Sequence, residues 1–354
     1  MKLTSLRLQD FRSYSDQAFV FDQDQVIFCG PNGIGKTNVL EAISVLSVGK
    51  SWREQQVKDL VSLNADSAQI TGQTNQGDQW QGQLGQRQRR FLKNEKALPR
   101  TKLIGQLPTL LFCPEYLQLL TGPKSPRVMF FDRFLVQCSP VYRQALLKAN
   151  KAHKQKTALL RSIRAEERTD GASLLSPWNQ ILSETMPVIT DLRQQILSAL
   201  NPLLQQALHQ VAPTQESLEI SLVPAEDILM TEKSIQDWFA IHTAQEIAAG
   251  KNFIAPQRDD FQFMLRGQSL GSTASRGEVR TVLLALLSAQ KQYFIAQQKQ
   301  APILLLDDVF SELDDHRQAE LESLCDGCQT FFTTTHREHF DRFSRPVQVF
   351  EMGN

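Results

Sequence analysis

Cysteine is scarce in this chain, and what there is does not suggest a stapled or metal-held fold. The five are Cys29, Cys113, Cys138, Cys325 and Cys328. Cys29 and Cys113 sit in apolar, strand-like runs and read as small core residues. Cys325-Asp326-Gly327-Cys328 has no second pair, whereas a structural zinc site needs four ligands, so it reads as a turn between helix and strand. No apolar run is long enough for a signal peptide or a bilayer span. Cysteine usage and the lack of a targeting segment together point to the cytosol. No heptad pattern continues for a hundred residues, which excludes a long coiled-coil arm. No internal repeat and no low-complexity tail is present.

Net charge is also lacking: 38 basic residues balance 38 acidic ones. The balance is uneven along the chain. Residues 87–164 hold 17 Lys and Arg against 3 Asp and Glu, a net of +14, so the remainder carries −14. An asymmetry of that size suggests a region that binds a polyanion. Within it, Arg87, Arg89, Arg90, Lys93, Lys96, Arg100 and Lys102 interleave with Phe91 and Leu92. They form a candidate strip for a phosphate backbone. The stretch Tyr142–Arg164 has seven Lys or Arg, His153 and no acid. Lys148, Lys151 and Lys154 make it the second candidate.

Gly30-Pro31-Asn32-Gly33-Ile34-Gly35-Lys36-Thr37 fits G-x-x-x-x-G-K-[ST], a phosphate-binding loop. Gln25–Cys29 before it reads as a buried strand, and Thr37–Ile43 after it, including Asn38, as the first turns of a helix. Glycines let the backbone turn its N–H groups toward phosphates, and the helix N-terminus adds positive charge there. Lys36 would reach the β- and γ-phosphates, and the Thr37 hydroxyl would ligate Mg²⁺. Ile303-Leu304-Leu305-Leu306 reads as a fully buried parallel strand ending in Asp307 and Asp308. Asp307 would hold Mg²⁺ through water, and Asp308 could orient the attacking water as a general base. Ser275-Arg276-Gly277-Glu278 opens a helical stretch over 279–290, which makes a second anion site. His336 follows the strand Thr330–Phe332 and could bring an imidazole to the γ-phosphate.

The remaining pattern gives the architecture. Residues 3–9 and 18–28 read as two strands, and 69–88 as short antiparallel strands. From Pro140 to about Gly250 the period becomes helical, with Gly171 and Pro177 as breaks and Glu216–Val223 as a strand. A length of 354 residues with 41% hydrophobic content suggests two or three lobes with real cores. The expected fold is α/β: a phosphate-loop ATPase domain whose mixed sheet has flanking helices, with an inserted, mainly helical lobe. The boundaries read as 1–115, with antiparallel strands over 69–102, then 116–250 for the insertion, then 251–354 for completion of the ATPase domain.

The motif order resembles that of the ABC-type ATPases: Walker A, signature, Walker B, D-loop at Ser311-Glu312-Leu313-Asp314, and switch histidine. Within that superfamily the chain is most similar to the RecF family of the SMC-like branch. The resemblance rests on Asp10-Phe11-Arg12-Ser13-Tyr14, Asn32–Ile43, Gly49-Lys50-Ser51-Trp52-Arg53, Phe112-Cys113-Pro114-Glu115, Arg258-Asp259-Asp260-Phe261, Ser275-Arg276-Gly277 and Leu306–Asp314. It departs at Ala255-Pro256-Gln257, where Gly-Pro-His is usual, at the thinned arginine cluster Arg127-Val128-Met129, and at Glu278, where glutamine is usual.

The resemblance implies ATP and Mg²⁺ as cofactors, with Arg12 and Ser13 lying over the nucleotide. It implies an ATP-driven head-to-tail homodimer in which Ser275 and Gly277 of one chain face the phosphate loop of the other. It further implies slow, DNA-stimulated hydrolysis, binding of double- and single-stranded DNA at gap junctions, loading of recombinase, and RecR and RecO as partners. A transporter-type ATPase subunit, another SMC-like ATPase, and a nuclease of a related branch are the alternatives. The basic region and Arg258-Asp259-Asp260 argue against the first, and the lack of a further carboxylate cluster argues against the last.

Overall fold

The computed structural model describes every residue except 54, 55, 86, 87, 167–170, 212–216, 313, 314, 340–342, 344 and 354. Arg87 and the D-loop residues Leu313 and Asp314 therefore lie outside the described residues. In chain order, the first elements are strands β1 (Leu3–Phe11), β2 (Tyr14–Val20) and β3 (Gln25–Cys29), then helix α1 (Lys36–Val48). Next come β4 (Ser67–Thr74), β5 (Gln79–Gly85), β6 (Arg89–Lys93), β7 (Lys96–Ala97), α2 (Arg100–Leu103) and β8 (Thr109–Phe112). The central part holds α3 (Lys124–Cys138), α4 (Pro140–Glu166), α5 (Gly171–Val211), β9 (Leu218–Val223), α6 (Glu232–Ala249), β10 (Asp260–Leu265), β11 (Gln268–Ser269) and α7 (Leu270–Thr273). The last elements are α8 (Arg276–Gln298), β12 (Ile303–Leu306), α9 (Asp315–Leu324), β13 (Thr330–Thr334) and β14 (Val347–Glu351).

The elements divide into two units. The first comprises Met1–Gln118, Leu203–Gln215 and Ala274–Asn354, and the second Leu119–Pro202 and Glu216–Thr273. The boundary read at 250 from sequence is displaced to 273. The reason is strand pairing: β10 pairs antiparallel with β9 from Asp260 opposite Val223 to Leu265 opposite Leu218, which ties residues 260–265 to the second unit. Sequence also merged residues 18–28 into one strand. The structure divides them into β2, which pairs with β1 as a hairpin, and β3, which enters a different sheet.

The first unit has two sheets with α1 between them. One is antiparallel, in the order β2-β1-β4-β5-β6-β7. The other is parallel, in the order β14-β3-β13-β12-β8. Strands buried on both faces lose the polar–apolar alternation, which is why Val26-Ile27-Phe28, Ile303–Leu306 and Phe331-Phe332 read as continuous apolar runs. Helix α1 touches strands of both sheets. It is therefore buried nearly all round, from Val39 to Val48, and presents no polar face to solvent over that span. Phe28 stacks on Phe350 of β14 at 5.3 Å between ring centres, and Phe19 meets both rings edge-on.

The second unit combines helices with the small sheet β11-β10-β9. Its interior is organised by charge. Arg193 of α5 is fully buried. It donates to Asp132 Oδ1 of α3 at 2.7 Å, Asp259 Oδ2 at 2.6 Å, the Tyr142 hydroxyl of α4 at 2.9 Å and the Pro256 carbonyl at 3.1 Å. Arg127 grips Asp260 with a two-pronged pair at 2.9 and 2.8 Å. Both acids of the Arg258-Asp259-Asp260 stretch are thus spent on internal structure. Pro177 does not break α5, contrary to the sequence reading. It sits near the start of a helix that also contains Pro187 and Pro202. Pro177 is exposed, on the side of the helix where a proline's local distortion is least confined by packing.

A second buried charge pair joins α4 to α6. Lys156 Nζ lies 2.6 Å from Glu246 Oε2, with both side chains fully buried, and 3.6 Å from the Phe239 ring centre. Burial holds the Lys156 ammonium down to a pKa of about 8, although Glu246 opposes it. Glu246→Gln is expected to cost about 3–5 kcal/mol, because it strands a buried cation. Lys156→Met combined with Glu246→Leu removes both charges and should recover most of that loss. Urea unfolding of the parent, single and double variants at pH 7 checks this. A double variant no more stable than Glu246→Gln would show that packing, not charge, sets the cost.

Candidate nucleotide site

The carboxyl ends of the parallel strands place the site. Register pairs Leu306 with Phe112 and Phe332, and Thr334 with Cys29. The chain therefore leaves β3 into the glycine loop beside the point where Asp307 follows β12 and Thr335 follows β13. Open parallel sheets bind ligands along such an edge. Two glycines are sterically required. A Cβ at Gly30 would lie 2.4 Å from the Met352 carbonyl oxygen. Gly35 has φ 110°, and a Cβ there would lie 2.8 Å from Ser13 Oγ and 2.9 Å from the Tyr14 hydroxyl.

Residues 31–34 are exposed, while Gly35 and Lys36 are buried. Lys36 arches back over the loop, and its ammonium donates to the carbonyls of Gly30 at 2.6 Å and Pro31 at 2.8 Å. Burial lowers the Lys36 pKa, and the charges of Asp308 and then Asp307 oppose that. Asp308 therefore lies within electrostatic reach of Lys36.

Asp307 is the junction. Its Oδ1 accepts from the Thr37 hydroxyl at 2.7 Å and from the Thr333 hydroxyl at 2.6 Å. Thr333 in turn accepts from the Asp308 N–H at 2.9 Å. Burial raises the Asp307 pKa, and the two hydroxyl donors pull against it. A carboxylate and a hydroxyl, both hard oxygens and already in contact, are the donor set that Mg²⁺ takes beside phosphates. Thr37 and Asp307 thus fit that ion. Asp308 holds φ 46°, a left-handed backbone that non-glycine residues seldom adopt and that costs of order 1–3 kcal/mol. His336 is exposed just past β13, and its N–H donates to the Thr334 hydroxyl at 3.2 Å.

The β1–β2 hairpin reaches the loop from the other sheet. The Tyr14 hydroxyl donates to the Gly35 carbonyl at 3.0 Å, and the Asn38 amide donates to Ser13 Oγ at 3.1 Å. Arg12 makes a two-pronged pair with Glu41 of α1 at 2.9 and 2.8 Å. In this structure its guanidinium is therefore anchored one turn behind the phosphate loop.

Ser275 caps α8. Its hydroxyl accepts from the Glu278 N–H at 3.2 Å, while Glu278 Oε2 accepts from the Ser275 N–H at 2.7 Å. This is a capping box, and it explains the acid at 278: glutamate closes the box and favours the positive helix end. The Gly277 carbonyl accepts from the Thr281 hydroxyl one turn later at 3.1 Å.

The basic candidates separate into two groups. Arg89 donates to the Gly49 carbonyl at 3.1 Å and Arg100 to the Val48 carbonyl at 2.9 Å, so both close the C-terminus of α1. Lys93 pairs with Asp78 at 2.8 Å and lies 4.7 Å from the centre of the Trp80 ring. Arg90 is exposed. Lys148, Lys151 and Lys154 are exposed at three-residue spacing along α4. None of those three lysines forms an ion pair with any described residue.

Sequence reasoning gave no role to Glu41, Thr333, Tyr14, Ser51 or Arg53. One signal was available: Glu41 is the only charged residue between Thr37 and Val48, in a helix otherwise apolar enough to be buried. The others are revealed only by tertiary contact.

Comparison with known proteins agrees with this geometry. The family described as the RecF/RecN/SMC N terminal domain matches residues 2–354. The DNA replication and repair protein RecF of Geobacillus thermodenitrificans (strain NG80-2) is 34% identical over 95% of this chain and 93% of its own length. RecF of Microcystis aeruginosa (strain NIES-843 / IAM M-2473) is 31% identical over 99% of this chain and 98% of its own. Among solved structures, the recombination mediator protein RecF with ATP, of the RecFOR pathway, superposes with a TM-score of 0.85 at 24% identity. It covers 95% of this chain and 92% of that one. An Smc head domain with a coiled coil from Pyrococcus yayanosii gives 0.56 at 13% identity, over 99% of this chain and 95% of that one. With curated relatives above 30% identity along nearly its whole length, the chain belongs to the RecF family of DNA replication and repair proteins.

Proposed function

We propose that this chain is an ATP-dependent DNA-binding protein of recombinational repair and replication-fork maintenance, and that it hydrolyses ATP at the site built on Asp307. The observation that carries this is the contact of Thr37 with Asp307, seated beside a glycine loop whose lysine is folded over it. Backbone N–H groups of residues 32–37 and the N-terminus of α1 would cradle the phosphates. Lys36 would exchange the Gly30 and Pro31 carbonyls for phosphate oxygens. Thr37 and Asp307 would hold Mg²⁺, which supplies charge neutralisation at the β- and γ-phosphates. Asp308 would accept the proton of a water attacking the γ-phosphorus as the bond to the bridging oxygen breaks, giving ADP and phosphate. His336 would donate to the γ-phosphate from the end of β13.

The second half of the site comes from another copy. Ser275 and Gly277, at a helix N-terminus preset by Glu278, would bind the partner's γ-phosphate, so that ATP joins two chains head to tail. The dimer would clasp duplex DNA beside a single-strand gap; Lys148, Lys151 and Lys154 of α4 are one candidate set of phosphate contacts and, independently, Arg90 of β6 is another. Arg89 and Lys93 contribute less, being engaged at the end of α1 and with Asp78 respectively. DNA would stimulate a slow hydrolysis that releases the clasp. RecR and RecO are the partners that family membership supports, recombinase loading the outcome, and the cytosol the compartment. No described helix is long and apolar enough to cross a membrane.

Mixing two inactive variants tests the composite site. Lys36→Met should lower ATP affinity at least tenfold by calorimetry, because it removes the ammonium folded over the loop. Ser275→Arg should bind ATP normally as a monomer yet neither dimerise nor hydrolyse. Mixed together, the two proteins should regain part of the turnover, since one site of each mixed dimer joins the sound loop of one chain to the sound Ser275 of the other. Normal hydrolysis by Ser275→Arg alone would refute the arrangement.

Asp308→Asn should keep ATP bound and slow turnover by about 10²–10⁴-fold, the usual contribution of a general base. A normal rate would place the base elsewhere.

For DNA, affinity should fall linearly with salt on logarithmic axes. Replacing Lys148, Lys151 and Lys154 with alanine should reduce the slope by about 2–3, whatever the base sequence. An unchanged slope would assign the stripe to another ligand.

A further inference from the structure

Cys325-Asp326-Gly327-Cys328 joins the end of α9 to the start of β13, at the amino ends of the parallel strands. It therefore lies across the sheet from the phosphate loop and has no part in the nucleotide site. The Cys328 N–H donates to the Cys325 carbonyl at 3.1 Å, which closes a tight turn. Gly327 holds φ 73° within it. The Cα atoms at the ends of such a turn lie within about 7 Å of each other, and a disulfide spans about 4.4–6.8 Å. Asp326 and Gly327 are exposed, while both cysteines are buried.

The turn is pinned from outside. Lys291 of α8 donates to the carbonyls of Leu324 and Asp326, both at 2.7 Å. Arg345 pairs with the Asp326 carboxylate. The Cys325 S–H donates to the Leu321 carbonyl at 3.1 Å, one turn back in α9. A cavity of about 280 Å³ lies against the pair, and Asp22, Asp24, Gln25 and Arg345 line it with both cysteines. Asp22, Asp24 and Arg345 are exposed, so the cavity is open to solvent. Gln25 is buried, and its Oε1 has no hydrogen-bond partner among the described residues. A stranded acceptor in the wall favours a polar guest over an apolar one.

Burial pushes the Cys325 thiol up to about 12 and the Cys328 thiol above its ordinary value. The Lys291 charge opposes this at both, Asp326 adds to it at both, and Asp24 adds to it at Cys328. Both groups therefore rest as thiols near neutral pH. A single buried thiol of that kind is inert. Two at the ends of one turn differ, because a mixed disulfide formed on either has a second sulfur at hand to displace it.

We propose that Cys325 and Cys328 form a reversible dithiol–disulfide site, oxidised by a small-molecule disulfide of the glutathione class that enters the cavity. The Cys328 thiolate attacks one sulfur of the oxidant, whose S–S bond breaks and releases one small thiol. The Cys325 thiolate then attacks the Cys328 sulfur and releases the second. Two hydrogens and two electrons pass from the pair to the oxidant, and an excess of small thiol reverses both steps. Cys325 takes the second step because its S–H is engaged with Leu321. Oxidation thus exchanges that hydrogen bond for a covalent bridge at the end of α9. Disulfides of reducing compartments are mostly of this transient kind.

The test treats the reduced protein with oxidised glutathione, blocks the remaining thiols with iodoacetamide and maps the peptides by mass spectrometry. A bridge between Cys325 and Cys328 of one chain is expected, and dithiothreitol should remove it. Its rate of formation should rise about tenfold per pH unit from about pH 7 to 9, following the thiolate fraction. Cys325→Ser should stop at a mixed disulfide on Cys328. The same protein unfolded in urea serves as the control that the oxidant is competent. Cys325 and Cys328 both recovered as alkylated thiols from the folded protein, or bridged only to other cysteines or to a second copy, would overturn the proposal. If Cys325→Ser does not fold, the peptide map of the parent decides by itself.

Discussion

One carboxylate oxygen holds the site together. Asp307 Oδ1 accepts hydroxyl hydrogens from Thr37 at the start of α1 and from Thr333 near the end of β13, while Asp307 itself follows β12 directly. Three elements distant in sequence are fixed to a single atom, so the geometry depends on the register of the parallel sheet. A slip of one residue between β12 and β13 would turn Thr333 to the opposite face and leave a buried carboxylate short of a donor. The continuous apolar runs of β3, β12 and β13 resist such a slip less than alternating strands do, because both faces are buried alike. The polar residues at their ends carry the register information instead.

The second unit solves a different problem with the same kind of chemistry. Arg193 binds two carboxylates, a tyrosine hydroxyl and a carbonyl from three parts of the chain, with no exposure to water. A fully satisfied buried network rarely adds much net stability against an apolar core, but it tolerates few alternative packings. Long helices with leucine faces can slide past one another. A guanidinium whose donors must meet fixed acceptors on α3, α4 and the segment before β10 cannot.

Sequence reading succeeded where chemistry is local. The phosphate loop, the strand ending in Asp307 and Asp308, and the capped start of α8 are each contiguous, and each appears as an element with the bounds the pattern implied, within a few residues. It failed where the answer depends on direction or on distant pairing. Charge count marked Arg89 and Lys93 as surface contacts, yet a lysine or arginine side chain carries no sign of where it points. Arg89 turns inward to close α1, and Lys93 lies along Trp80. The end of the insertion was misplaced because β10 pairs with β9 across a whole helix. The partner that Arg12 holds in this structure was not legible, because Glu41 stands twenty-nine residues away in a stretch that reads as core.

Strain and burial then converge on the same edge. Three of the eight left-handed non-glycine residues described, Asp10, Arg12 and Asp308, lie within or beside the motifs around the phosphate loop. Glycines at 30 and 35 admit a carbonyl and a hairpin where any Cβ would collide. The resting contacts of the charged groups follow one scheme: Lys36 on main-chain carbonyls, Arg12 on Glu41, Asp307 on two hydroxyls. Each is satisfied by partners within the first unit, so the site keeps its shape without borrowing order from a ligand. Only Lys36 is held by neutral carbonyls, the weakest of these partners for an ammonium to exchange. Arg12 and Asp307 are held by a charge and by paired donors, which are costly to break inside a protein. The group expected to move on binding is thus the lysine, and the frame it moves against is the pair of buried carboxylates, Glu41 and Asp307.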